Sequence, residues 1–168
     1  MRFLKLGLYS VAAASAALAF SLAGPGSAKA VKGELPPDFS GTTLDGKKIT
    51  LSDFRGKNPV VLNFYAEFCG PCRKEFPHLK QLDEKLGAKG LKVIAVSLDE
   101  DRAAAASIPQ EAKAKFPVVF DPKGAIAEKY GVQAIPHTVV IDRSGKVHQV
   151  LVGLNLDALD SAVEQVVR

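Results

Sequence analysis

The only two cysteines of this 168-residue chain, Cys69 and Cys72, stand three positions apart where a buried-type strand gives way to a helix. Before them, Pro59 to Tyr65 is a near-continuous apolar run (Val60, Val61, Leu62, Phe64), as expected of a strand covered on both faces. After them, Phe76, Leu79, Leu82 and Leu86 recur at helical spacing up to Gly87, which predicts a helix from Cys69 to about Leu86. The first thiol then falls at a helix N-terminus, where unpaired N–H groups and the dipole favour a thiolate. The second falls one turn inside, close enough to close a small disulfide ring. Pro71 suits the first helical turn, where its missing N–H costs nothing. Cys69 is therefore predicted to be the exposed, attacking thiol and Cys72 the shielded one that resolves a mixed disulfide. A purely structural bridge between i and i+3 would constrain the unfolded chain little. Half of a metal site would have His78 as its nearest third ligand, and no second ligand pair follows.

The remaining segments set this unit in an α/β chain. Phe39 to Leu44 and Lys47 to Leu51 flank Asp45-Gly46, a hairpin turn signal. Leu91 to Leu98 reads as a second buried strand. Arg102 to Lys115 is helical in composition, but Pro109 is predicted to split it into two short pieces. Pro117 to Phe120 reads as a short strand and Ala125 to Tyr130 as a short helix ended by Gly131. His137 to Ile141 and Val147 to Val152 read as strands around Arg143-Ser144-Gly145. Leu156, Leu159, Val163 and Val166 mark a last amphipathic helix capped by Asn155. This order predicts a mixed central sheet with helices on both faces. A crossover helix joins a parallel pair, and a closing hairpin adds antiparallel strands.

Residues 1–30 read as an address. Arg2 and Lys5 form a positive start, Leu6 to Ala23 is uncharged and apolar, and Ala28-Lys29-Ala30 matches a small-residue cleavage pattern. That order of parts predicts a secretory signal peptide over 1–30, with a single domain over 31–168. A retained N-terminal anchor is the alternative, since the apolar run is just long enough to span a bilayer. Three of the 22 basic residues and none of the 18 acidic ones lie in that leader. The rest of the chain is thus nearly neutral, without the electrostatic footprint of a nucleic-acid binder. Two cysteines are too few for a disulfide scaffold.

The stretch Leu62 to Pro77, LNFYAEFCGPCRKEFP, resembles the active-site segment of the thioredoxin fold. The likeness extends along the chain. Pro36-Pro37-Asp38-Phe39, Leu51-Ser52-Asp53-Phe54-Arg55-Gly56-Lys57, Phe120-Asp121-Pro122-Lys123-Gly124, Tyr130-Gly131-Val132, Ile135-Pro136 and Ile141-Asp142-Arg143-Ser144-Gly145 look like the TlpA/ResA branch. That branch comprises extracytoplasmic thiol–disulfide oxidoreductases, and the resemblance covers roughly residues 35–168. It implies a thioredoxin-like fold with an N-terminal β-hairpin extension and a small helical insertion. It implies that Pro136 is a cis-proline facing the disulfide. It also implies that Glu75, in the pattern Cys-x-x-Cys-x-x-Glu, lies near the active site, where partial burial would fit it to exchange protons with a thiol.

The function so implied is reduction of disulfides in exported proteins, with cytochrome c or copper-site assembly as the settings. The redox-active Cys69–Cys72 pair is its only cofactor. The expected partners are disulfide-bearing exported proteins and a membrane electron donor of the DsbD or CcdA type, and the protein is expected to be a monomer. Gly70-Pro71 resembles the dipeptide of thioredoxin, whose potential lies near about −270 mV. An SCO-like copper chaperone on the same fold is an alternative; it wants Cys-x-x-x-Cys and a distant histidine, for which only His137 offers itself. A peroxiredoxin-like peroxidase is another, but its Pro-x-x-x-Thr-x-x-Cys pocket is missing.

Several positions depart from the branch. Phe68 replaces the tryptophan common before the first cysteine and is expected to keep hydrophobic cover. His137 follows Pro136 where relatives carry threonine; it reads as a solvated rim residue, or else as a titrating neighbour of the thiols. Asn63 lies six residues before Cys69, where many thioredoxins place a buried aspartate; it reads as a structural strand residue that cannot titrate. Asp99-Glu100-Asp101 reads as a solvated loop and helix start.

Overall fold

The computed structural model describes residues 29–168. All but the last two residues of the proposed leader lie outside that range. The described elements, in chain order, are β1 (Ser40–Thr42), β2 (Lys48–Thr50), β3 (Val60–Tyr65), α1 (Gly70–Leu86), β4 (Lys92–Ser97) and α2 (Arg102–Ala112). They continue with β5 (Val118–Phe120), α3 (Ala125–Tyr130), β6 (His137–Ile141), β7 (Val147–Val152) and α4 (Leu156–Val166). β1 and β2 pair antiparallel around the Asp45-Gly46 turn, and Gly46 takes the left-handed φ of +83° that this turn needs.

The other five strands form one mixed sheet in the order β5-β4-β3-β6-β7. β3 pairs parallel with β4, and β4 parallel with β5; β3–β6 and β6–β7 are antiparallel. Strand alternation divides the core in two. Val61 and Tyr65 of β3 turn toward Cys72, Phe76 and Leu79 of α1, Ile108 of α2 and Leu159 and Val163 of α4. Val60, Leu62 and Phe64 turn the other way, toward Ile126 and Tyr130 of α3 and toward Phe39 and Leu51 beside the hairpin. Helices therefore cover both faces, as the sequence predicted.

Both rims of the sheet are occupied by the N-terminal stretch. At one rim the hairpin docks on β5, with an antiparallel bridge from Thr43 to Val119 and a hydrogen bond from Leu44 N–H to Val118 O at 2.8 Å. Gly41 permits this approach, since a Cβ there would stand 2.4 Å from Val119 Cγ1. At the other rim, Gly33 N–H donates to Val147 O at 2.8 Å and Val147 N–H donates to Glu34 O at 2.9 Å.

One sequence expectation is corrected. α2 is one helix with Pro109 inside it, not two pieces. Proline at 109 removes the N–H that would reach the carbonyl of Ala105, four residues back. The Tyr65 hydroxyl donates to that carbonyl instead, from across the core. Burial, with the Asp99 charge adding to it, raises the Tyr65 pKa, so the hydroxyl keeps its proton. α1 ends at Leu86 with Gly87 as its C-cap, as the sequence predicted. The chain passes into a 3-10 turn over Gly87–Lys89, and Gly90, at φ +96°, makes the reversal into β4.

The Tyr65 substitution yields a test. Tyr65→Phe leaves the buried Ala105 carbonyl without a donor while keeping the ring, and should destabilise the protein by about 1–3 kcal/mol. Urea unfolding of the two proteins measures the difference; equal midpoints would show that Tyr65 does not support α2.

Candidate active site

Cys69 is the N-cap residue of α1, with extended backbone (φ −83°, ψ 98°) and a side chain that faces the first turn. Its Sγ accepts a hydrogen bond from Cys72 N–H at 3.1 Å. Cys69 and Cys72 are joined as a disulfide, with Cα atoms 5.2 Å apart. Pro71 occupies the first turn, as its sequence position predicted. Cys72 is fully buried, and Cys69 is only 5% exposed. The order of accessibility agrees with the expected roles, but in the oxidised protein the first sulfur is nearly covered. The exposed group is its neighbour Phe68, 86% accessible. This corrects the expectation that Phe68 provides hydrophobic cover: it points into solvent.

One turn beyond Cys72, Glu75 is buried, with 1% of its surface accessible. A carboxyl in such a place must find donors or stay protonated. Two come from the sheet. Asn63 Nδ2 donates to Glu75 Oε2 at 2.8 Å, and Thr138 Oγ1 donates to Oε1 at 3.2 Å. Asn63 Nδ2 also donates to Thr138 Oγ1 at 2.8 Å, closing the triangle. Asn63 of β3 and Thr138 of β6 are direct cross-strand partners, so the sheet register places both beneath α1. Burial pushes the Glu75 pKa above its ordinary value, more strongly than the Asn63 and Thr138 hydrogen bonds and the His78 charge pull it down. Asn63 Oδ1 is buried without a partner among the described residues.

The Ile135–Pro136 peptide is cis, as the family resemblance implied. Pro136 is buried, and its carbonyl accepts from Gly153 N–H at 2.8 Å, which ties this loop to the one after β7.

The geometry fits the comparisons with known proteins. The family model described as AhpC/TSA family matches residues 33–150. The thiol–disulfide oxidoreductase ResA of Bacillus thuringiensis is 42% identical over 121 residues, covering 72% of this chain and 69% of that protein. ResA of Bacillus subtilis is 33% identical over 128 residues, covering 76% and 71%. Among solved structures, a Chlorobium tepidum protein described as a thiol:disulfide interchange protein DsbE superposes with a TM-score of 0.77 at 38% identity. It covers 82% of this chain and 99% of that one. The chain belongs to the AhpC/TSA family. Within that family it is a thiol–disulfide oxidoreductase of the ResA/DsbE type, with a thioredoxin-like fold and a Cys-x-x-Cys pair.

Other residues singled out in the sequence fall differently in this AhpC/TSA chain. His137 is not a solvated rim residue: it is 6% exposed, and its ring stands edge-on to Phe64 at 5.9 Å. Phe64 belongs to the sheet face that packs on α3, whereas its neighbour Thr138 points under α1. His137 therefore lies across the sheet from Cys72 and Glu75, not beside the thiols. The copper-chaperone alternative loses its third ligand. Among the described residues, no group of three or more His, Cys, Asp or Glu is placed to hold a metal ion. Arg73 is engaged with Glu111 of α2 and with Glu67. Asp99, expected in a solvated loop, is buried, while Asp101 caps α2 through Ala103 and Ala104 N–H. Thr138 was missed by sequence reasoning, and its signal was available: it lies one strand position from the cis-proline loop, on the face opposite His137.

His137 carries a pH prediction. Among the described residues neither ring nitrogen has a partner, and burial lowers its pKa below the ordinary 6.5. The unfolded chain then takes up a proton before the folded one. The folded state keeps its full stability above pH 6.5 and loses it as pH falls toward the folded pKa, by at most about 1.4 kcal/mol per pH unit. His137→Leu should remove this acid sensitivity. Comparing both proteins by denaturant unfolding between pH 5 and 8 cancels contributions from every other group; parallel curves would refute the effect.

Proposed function

We propose that this oxidoreductase works outside the cytoplasm as a reductase of disulfides in exported proteins. The arrangement of Cys69, Cys72 and Glu75 carries this reading. In the reduced protein, Cys69 attacks one sulfur of the substrate disulfide as a thiolate, and the first substrate thiolate leaves. The helix start favours that thiolate, and Cys72 N–H already points at its sulfur. Cys72 then loses its proton and attacks Cys69 Sγ. The second substrate thiol departs, and the Cys69–Cys72 disulfide closes. Two electrons and two protons pass to the substrate.

Glu75 is the group that handles the Cys72 proton. It sits three residues along the same helix face, is shielded from bulk water, and has its pKa raised by burial toward the range where it can both take and give a proton. Asn63 stabilises the ionised form. Its Nδ2 donates to the carboxylate directly and also to Thr138 Oγ1, which donates to the second carboxylate oxygen. Pro136, on its cis peptide, lines the approach to the disulfide. The redox-active disulfide is the only cofactor this reading needs. Electrons come from a membrane donor of the DsbD or CcdA type, and cytochrome c or copper-site assembly supplies the substrates. The apolar stretch before residue 31 supports export, by a cleaved leader in preference to a retained anchor.

Two measurements test the reading. Cys72→Ser should accumulate mixed disulfides with exported proteins, whereas Cys69→Ser should accumulate few; the reverse pattern would exchange the two roles. Glu75→Gln should keep the fold but slow single-turnover disulfide reduction by about a hundredfold or more, in line with the usual contribution of a proton-transfer group. It should also flatten the pH profile of dithiol reactivity. A profile unchanged from pH 5 to 9 would make Glu75 structural. Linkage adds a sign. With its folded pKa raised, Glu75 gives its full stability below the ordinary 4.5 and loses it as pH rises through the folded value. Glu75→Gln should abolish that decline.

A further inference from the structure

Two residues before Cys69, the backbone of Glu67 is held on both sides by side chains from other elements. Its N–H donates to both carboxylate oxygens of Asp99, at 3.0 Å to Oδ1 and 3.2 Å to Oδ2. Its carbonyl accepts from Arg73 Nη2 at 3.2 Å. Both grips are themselves anchored. Ser97, fully buried at the end of β4, donates from Oγ to Asp99 Oδ2 at 2.9 Å, and Asp99 N–H donates back to Ser97 Oγ at 3.1 Å. Arg73 is ion-paired with Glu111 on α2. Asp99 is only 9% exposed, so its carboxylate is committed to these donors. The chain between Glu67 and α1 consists of Phe68 and Cys69 alone. Cys69 N–H donates to Ala66 O at 3.0 Å, so the turn closes on itself once Glu67 is fixed.

We infer that Asp99 is a positioning residue: with Arg73 it clamps the Glu67 backbone, so that Phe68 stands ready beside Cys69 for a disulfide-bearing polypeptide to dock on. This rests on the reductase reading above. A small disulfide meets only Cys69 Sγ, which the start of α1 holds through Cys72 N–H whatever becomes of Asp99. A polypeptide must also lie against Phe68. If the turn is free, binding has to order it, and that entropy is charged to the complex. The clamp therefore acts selectively on macromolecular substrates.

The test uses the full-length protein as wild type, D99A, D99N and R73A. Each is reacted in its reduced form with insulin disulfides and with bis(2-hydroxyethyl) disulfide, and Glu67 amide hydrogen exchange is followed by NMR. D99A should lower the second-order rate with insulin about tenfold, keep the rate with the small disulfide within twofold, and speed Glu67 exchange at least tenfold. D99N retains an acceptor oxygen of the same shape and should recover the insulin rate to within threefold of wild type. R73A removes the second grip from a half-exposed helix surface and should show the same selective loss, which preserves the test should D99A not fold. Equal losses on both substrates, or no loss on insulin, would overturn the clamp. So would unchanged Glu67 exchange in a folded D99A. Wild-type protein that reduces neither substrate would overturn the reductase reading instead, and the exchange data would still decide the clamp.

Discussion

Burying a carboxyl under a helix requires donors that the helix cannot supply, and in this protein the antiparallel register of β3 and β6 supplies them. Asn63 stands opposite Thr138, and both reach Glu75. A slip of β6 by one residue against β3 would turn Thr138 to the α3 face and leave the carboxyl with only one of its two donors. The same register sets Phe64 opposite His137, and the strand start at His137 sets the cis-proline one residue earlier. The donors that seat Glu75 and the placing of the cis-proline at the start of β6 thus follow from one pairing.

The two sheet faces divide the labour. The α1 face holds the disulfide, the buried acid and the aromatic packing of Tyr65 on Phe76, with ring centroids 4.6 Å apart. The α3 face is largely apolar; its buried Asp121 is satisfied by the Ile126 and Ala127 N–H groups, whereas His137 has no partner among the described residues. Acid should therefore act on this protein in two opposed ways, each confined to one face. Protonating Glu75 relieves a buried charge, whereas protonating His137 creates one.

Features that depend on local chemistry were legible in the sequence. Asp45-Gly46, the Asn155 cap, the bounds of α3, β6 and β7, and the helix opening at Cys69-Gly70-Pro71-Cys72 all appear where turn residues and periodicity put them. Features that depend on partners distant in sequence were not. Pro109 looked like a helix break because its compensating donor, Tyr65, lies 44 residues earlier. Asp99 looked solvated because it stands in a run of acids, and only the approach of Glu67 N–H and Ser97 Oγ explains its burial. Asn63 reads from sequence as a structural strand residue, but its partners Thr138 and Glu75 become known only when β6 and α1 are in place. His137 could not be assigned a face before the strand register was known.

The N-terminal stretch that guards both rims of the sheet also sets an order of events. Its hairpin needs β5, and residues 33–34 need Val147 at the start of β7. A polypeptide delivered N-terminus first, from a ribosome or through a translocation pore, presents its guards long before the strands they protect. Until the last third of the chain has arrived, the growing sheet has unpaired edges that a neighbouring chain could join. Completion is then marked by a contact between the two ends of the molecule: the tether at Val147 forms only when nearly the whole chain is in place.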